Sequence, residues 1–275
     1  MAANAIRPNL STDKKETLMT TSDPTQPFRE KAVAAATEFW KQGISEARRG
    51  SLAPIAIDSG WDKFGDLRKS DGSIWPWCGM FVAASHHRAG LCKTLRPGFY
   101  DAKNVAQYFT YEYSERTPRW VWSPARSEWF RVRDHHAEEG ALRTWIDHAT
   151  LQSADPAALD IRPGDVALID HQNDGKPDHI TLVESYDPAT GMLRTLEGNG
   201  AGTVATRLNP DGTVVEGHAA GDAAVRSQYN LADPAKRKKL YGIGRLSALD
   251  YAVRVYEHAD HKPATPPAEG AGRGP

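Results

Sequence analysis

The chain has 275 residues, of which 40% are hydrophobic and 25% charged, proportions that belong to globular proteins and exclude a coiled coil, a collagen or a wholly disordered chain. Lys and Arg number 34 against 35 Asp and Glu, a net charge of -1, so no global field exists to hold DNA, RNA or an anionic membrane surface. The length supports a core that needs neither disulfides nor metal, and the two cysteines, Cys78 and Cys92, do not suggest a disulfide framework.

Met1 to Gln26 is polar and without period, and reads as a flexible arm. It carries no apolar run of the kind a secretory signal has, and nowhere does the chain approach the roughly 18 apolar residues of a membrane span. A protein made in the cytoplasm, without membrane insertion, is expected. From Phe28 to about Arg49, Ala32, Ala35, Ala36, Phe39, Trp40 and Ile44 recur at helical spacing. A turn-rich stretch holding Asp62, Asp66 and Asp71 then delivers the chain to Trp75-Pro-Trp-Cys78. Pro76 suits a helix start and Gly90 a helix end, which places Cys78 in a first turn.

Asn104 to Tyr113 has the pattern of a short helix. The bend Ile161-Arg-Pro-Gly164 introduces three strand patterns, Asp165–Asp170, His179–Tyr186 and Met192–Glu197, joined by turns, and a closing strand is expected near 240–246. Helices first and antiparallel strands afterwards make the class α+β. A single catalytic domain over 27–257 is expected, with insertions near 114–150 and 201–239 and a disordered tail over 258–275.

A thiol with its usual pKa of about 8.5 is only a few per cent thiolate at neutral pH. A helix N-terminus favours the anion, and its free N–H groups can face the oxyanion made when a carbonyl is attacked. Cys78 is therefore the candidate nucleophile, while Cys92, beyond the helix cap, reads as structural. Ten histidines compete as base. His86 and His87 lie two turns along the same helix, and His135, His136, His148 and His171 stand in polar, irregular stretches that suggest solvated side chains. His179 opens an apolar strand directly after a turn, where a scaffold holds a side chain at a sheet edge. If the turn 187–191 is symmetric about Ala189, paired residues sum to 378. His179 then faces Asn199, and Glu197 is its diagonal neighbour on the same face.

Trp75-Pro-Trp-Cys78-Gly-Met-Phe-Val82, Arg162-Pro-Gly-Asp-Val166, Asp178-His-Ile-Thr-Leu-Val183 and Glu197-Gly-Asn199, in this order, resemble the CHAP family, the cysteine and histidine dependent amidohydrolases/peptidases. The resemblance covers about Gly60 to Leu246 and implies a papain-like fold, with N-terminal helices and the nucleophile's helix N-terminus packed on an antiparallel sheet. It also implies cleavage of amide bonds in bacterial peptidoglycan. By this resemblance Cys78 is the nucleophile, His179 the base, Glu197 its orienting residue and Asn199 a further polar member. Two departures stand out: Thr181 where a small residue is usual, and a long aromatic stretch from Trp120 to Trp145. Some members bind calcium ahead of the nucleophile, but the spacing of Asp62, Asp66 and Asp71 lacks the EF-hand pattern, so no metal and no cofactor are expected.

The leading expectation is a peptidoglycan amidase or endopeptidase working through an acyl-thioenzyme. With no recognisable repeated wall-binding module, an exported antibacterial effector is favoured, acting in the periplasm or wall of a target bacterium and partnered by secretion machinery and an immunity protein. A phage endolysin, a papain-like transferase or protease acting on a protein, and an inactive wall-binding scaffold are the alternatives.

Overall fold

In the computed structural model the described residues are 23, 25–46, 50–61, 67–91, 99–110, 120–123, 128–131, 144–200, 206–208, 223–247, 250–251 and 255–256. Cys92, Asp62, Asp66, His135, His136 and the expected tail lie outside them.

Helix α1 (Gln26–Lys41) buries Ala32, Ala35, Ala36, Phe39 and Trp40, the stripe legible in the sequence. It stops at Lys41 rather than near Arg49, because Gly43 turns the chain at φ 62. Ile44 is buried from an irregular segment whose next residue, Ser45, bridges to Ala223. A short α2 (Ala53–Ser59), closed by Gly60 in the left-handed conformation, packs on α3 (Cys78–Arg88). Gly90, at φ 107, follows the end of α3 where the sequence expects it. The fourth helix, α4, spans Ala102–Thr110.

Ten strands follow among the described residues: β1 (Trp120–Ser123), β2 (Glu128–Arg131), β3 (Thr144–Asp147), β4 (Val166–Ile169), β5 (His179–Asp187), β6 (Met192–Glu197), β7 (Thr206–Leu208), β8 (Val225–Asn230), β9 (Leu240–Arg245) and β10 (Val255–Tyr256). Every pairing is antiparallel. One sheet has the order β10-β1-β2 and the other β3-β9-β4-β5-β6-β8-β7. Short helices α5 (His148–Ser153) and α6 (Pro234–Arg237) accompany the larger sheet. The fold is a mixture of helices and antiparallel sheet, α+β, and no helix among the described residues is long and apolar enough to cross a membrane.

The stretch 201–239, expected as an insertion, contains a strand of the main sheet. β8 pairs with the whole of β6 from Met192↔Asn230 to Glu197↔Val225. Its buried Val225, Ser227 and Tyr229 alternate with polar residues, and a serine in the middle of the inward face hides the period.

Both faces of the central strands are covered, which is why Val166–Ile169 is an unbroken apolar run. Val166, Leu168, Ile180, Leu182 and Leu196 pack under α1 to α4. Ala167, Ile169, Val183, Leu193, Tyr229 and Ile243 form the opposite core with Leu151, Leu159 and Ile161. The Arg162–Asp165 bend ties these layers together. Arg245 donates to both carboxylate oxygens of buried Asp165 at 2.9 and 3.0 Å, and Arg29 of α1 donates to the Pro163 carbonyl at 2.7 Å.

Candidate active site

Cys78 begins α3, whose N-cap is Trp77. The Trp77 side chain makes no capping bond, so the N–H groups of the first turn remain for another acceptor. The backbone N–H groups of Gly79 and of Ile180 in β5 lie near the Cys78 sulfur and favour its anion. The indole of Trp77 is fully buried and donates to Glu46 at 3.1 Å, which fixes the residue ahead of the thiol.

Two glycines let these elements meet. A Cβ on Gly79 would sit 1.6 Å from the Phe99 carbonyl oxygen, so the segment leading into α4 lies directly on the start of α3. A Cβ on Gly198 would lie 2.6 Å from both Trp77 and Phe81, so the end of β6 passes against α3 only because that position is bare.

His179 opens β5, and its ring hydrogen-bonds to Glu197 and lies close enough to Cys78 for each to favour the other's charged form. Nε2 faces Glu197 Oε2 at 3.2 Å. The other carboxylate oxygen, Glu197 Oε1, accepts from Thr195 Oγ1 at 2.6 Å and from the Tyr229 hydroxyl at 3.1 Å. Cys78, His179, Glu197, Thr195 and Tyr229 are all buried. Four of them, His179, Thr195, Glu197 and Tyr229, alternate with the strand residues that face the helices, and so line one face of the sheet.

The register has a cause the sequence does not display. The turn joins Asp187 to Met192, so pairs near it sum to 379 rather than 378. One extra residue in β5, Glu184, is bulged between Val183↔Thr195 and Ser185↔Arg194, and beyond it Leu182 faces Leu196, a sum of 378. Without that bulge Glu197 would present the other face of β6. Asn199 lies past the end of β6 in the left-handed region at φ 58 and is not among the partners of the His179 ring.

Charge is held in this row. Burial pushes the Cys78 thiol up, but the bond and charge of His179, with the two backbone N–H groups, outweigh it and the thiol is lowered. Burial disfavours an imidazolium, yet Cys78 and Glu197 together raise His179. Glu197, opposed by burial, is lowered by His179, Thr195 and Tyr229. All three shifts favour the charged forms, with thiolate beside imidazolium and carboxylate on its far side.

Three neighbours of the row were missed from sequence. Thr195 was findable, since it lies two residues before Glu197 and shares its face. Tyr229 sits on the strand mistaken for an insertion. His171, expected to be solvated, has its ring 5.2 Å from that of His179, and its Nδ1 is buried without a partner. Burial, then the charge of His179, holds it below its ordinary value. Among the remaining histidines, His86 is fully buried with Nδ1 2.9 Å from the Tyr251 hydroxyl. His148 Nδ1 lies 2.8 Å from the Leu240 carbonyl. Asp71 caps its own turn, accepting from the Ser73 amide and hydroxyl. Among the described residues no group of three His, Cys, Asp or Glu is placed to hold a metal ion.

Comparison with protein-family models, with curated proteins and with solved structures found no match.

Proposed function

We propose that the protein is a papain-like cysteine hydrolase, an amidase or endopeptidase that cuts an amide bond of bacterial peptidoglycan. The observation that carries the chemistry is the buried row Cys78–His179–Glu197, in which the imidazole favours the thiolate of Cys78 and hydrogen-bonds through Nε2 to a carboxylate 3.2 Å away. The thiolate attacks the amide carbonyl, forming a C–S bond, and the oxyanion meets N–H groups at the start of α3. The imidazolium gives its proton to the departing amine as the C–N bond breaks. His179 then takes a proton from water, the hydroxide attacks the thioester, and a carboxylic acid leaves with the thiolate restored. Glu197 keeps the ring oriented and stabilises its charge throughout.

The choice of peptidoglycan rests on the four ordered motifs, and delivery as an antibacterial effector rests on that choice. Purified protein is expected to release new amino groups from sacculi, with mass spectrometry of the fragments identifying the bond. Cys78→Ala is expected to remove this activity while its melting curve stays within a few degrees of the parent's. Equal activity in that variant, or intact sacculi with the parent, overturns the reading.

A further inference from the structure

The two oxygens of the buried Glu197 carboxylate are held unequally. Oε2 faces Nε2 of His179 at 3.2 Å. Oε1 accepts from the Thr195 hydroxyl at 2.6 Å and from the Tyr229 hydroxyl at 3.1 Å. Two donors on one oxygen fix the carboxylate at its far end, so it cannot turn and offer Oε1 to the ring without breaking both bonds. The same donors answer an electrostatic problem. Burial pushes the Glu197 carboxyl up toward its neutral form, which would leave an imidazolium without a counter-charge; His179 and the two hydroxyls bring it down instead. Tyr229 is itself held well above the ordinary tyrosine value by burial and by the Glu197 charge, so its proton stays in place for donation.

The chain delivers these hydroxyls by two routes. Thr195 stands two residues before Glu197 on β6, and so on the same face. Tyr229 comes from β8, where it pairs with Leu193, four residues short of Glu197 and about 13 Å from it along the strand. Its side chain therefore reaches along β6, and nothing as short as serine or threonine at 229 would span the gap. Both residues are 0% exposed, a cost to folding unless each hydroxyl is bonded, and both bonds end on the same oxygen. The strand that carries Tyr229 thus belongs to the site and not only to the core beneath it.

We infer that Thr195 and Tyr229 are positioning residues of the hydrolase, a two-hydroxyl clamp that fixes the Glu197 carboxylate and through it the His179 ring. The inference rests on the hydrolase reading for the purpose of the row, and on the hydrogen bonds alone for the clamp. Its test is the rate of iodoacetamide labelling of Cys78 in the full chain at neutral pH, read by peptide mapping, which needs no substrate. Thr195→Val and Tyr229→Phe keep the buried shapes and remove one hydroxyl each. Each is expected to slow labelling about threefold and the two together about tenfold, with melting curves showing that the variants are folded. In a Glu197→Gln background the same two changes are expected to alter the rate by less than about twofold, because the charge they serve is gone. Thr195→Ser leaves more empty space than Thr195→Val but keeps the hydroxyl, so it is expected to label faster, the reverse of the order that packing alone gives. Parent-rate labelling in the double variant, equal slowing in the Glu197→Gln background, or Thr195→Val outpacing Thr195→Ser overturns the inference. The two readings fail separately. The expected labelling order in a protein that leaves sacculi intact sinks only the hydrolase, and cut sacculi with labelling unmoved by the hydroxyls sinks only the clamp.

Discussion

At the residue scale the question is what holds His179. Its ring bonds to Glu197, while Asn199, past the end of β6 in a left-handed conformation, is not among its partners. Glu197→Gln keeps the shape and removes the charge, so His179 loses part of what raises it and the Cys78 thiolate loses part of its partner. Because the parent thiol is lowered and the parent imidazole raised, the reactive ion pair forms as pH climbs through the thiol's lowered value and disappears as pH passes the raised imidazole value. That window should narrow from its alkaline side in Glu197→Gln, with iodoacetamide labelling of Cys78 at neutral pH slower by roughly tenfold. Peptide mapping separates Cys78 from Cys92. Asn199→Ala should label at the parent rate and lose about 1 kcal/mol of stability, the cost of a left-handed alanine, which Asn199→Gly restores. Parent-like labelling in Glu197→Gln with loss in Asn199→Ala would reverse these assignments. The row was legible because each member sits at a position that local rules mark: a cysteine after Trp-Pro-Trp at a helix start, a histidine opening an apolar strand, a glutamate at matching parity. His171 and Tyr229 were not, because a polar loop and a serine-bearing strand give no local sign of what they fold against.

At the scale of elements the β5–β6 hairpin decides whether the row exists. The expected register holds at Leu182↔Leu196 and Val183↔Thr195 and is off by one at the turn, and Glu184 makes up the difference. The bulged carboxylate is ion-paired to Arg226, whose guanidinium lies 4.0 Å from the centre of the Trp40 ring. Removing Glu184 deletes only the extra residue, so the pairs on both sides survive and rapid labelling of Cys78 should persist with a modest fall in melting temperature. Removing Arg194, an exposed residue of β6, slides Thr195 to Glu197 by one place and turns Glu197 toward the helices, so rapid labelling should vanish in a protein that still melts cooperatively. Identical behaviour of the two deletions would show that the bulge does not set the register. Helix α1 was legible by its alanine and aromatic stripe but not by its end, since one glycine at φ 62 overrides the residues beyond it.

At the scale of the whole molecule, the buried Asp165–Arg245 pair and the buried His86 ring make stability depend on charge. Asp165 is raised by burial and held against that by the paired Arg245. Arg245→Met strands the carboxylate, and a loss of about 3–5 kcal/mol is expected in urea unfolding, largely recovered in Asp165→Asn/Arg245→Met. An unchanged midpoint in the single variant would contradict this. His86 is lowered by burial from 6.5 to about 3, against the opposing charge of Asp250. Folding therefore keeps the ring neutral, the unfolded chain binds the extra proton below about 6.5, and stability present above that pH is lost as pH falls toward 3, at up to about 1.4 kcal/mol per unit. His86→Phe should flatten that slope even if it lowers stability at neutral pH; an equally steep acid loss would place the titrating group elsewhere.

The thiol and its partners come from opposite halves of the chain, Cys78 from the helices and His179 and Glu197 from the sheet. A polypeptide leaving the ribosome N-terminus first thus carries an ordinary sulfhydryl until the β5–β6 hairpin has emerged and docked on α3. A copy truncated ahead of the hairpin holds Cys78 without His179 or Glu197, so its thiol keeps ordinary reactivity.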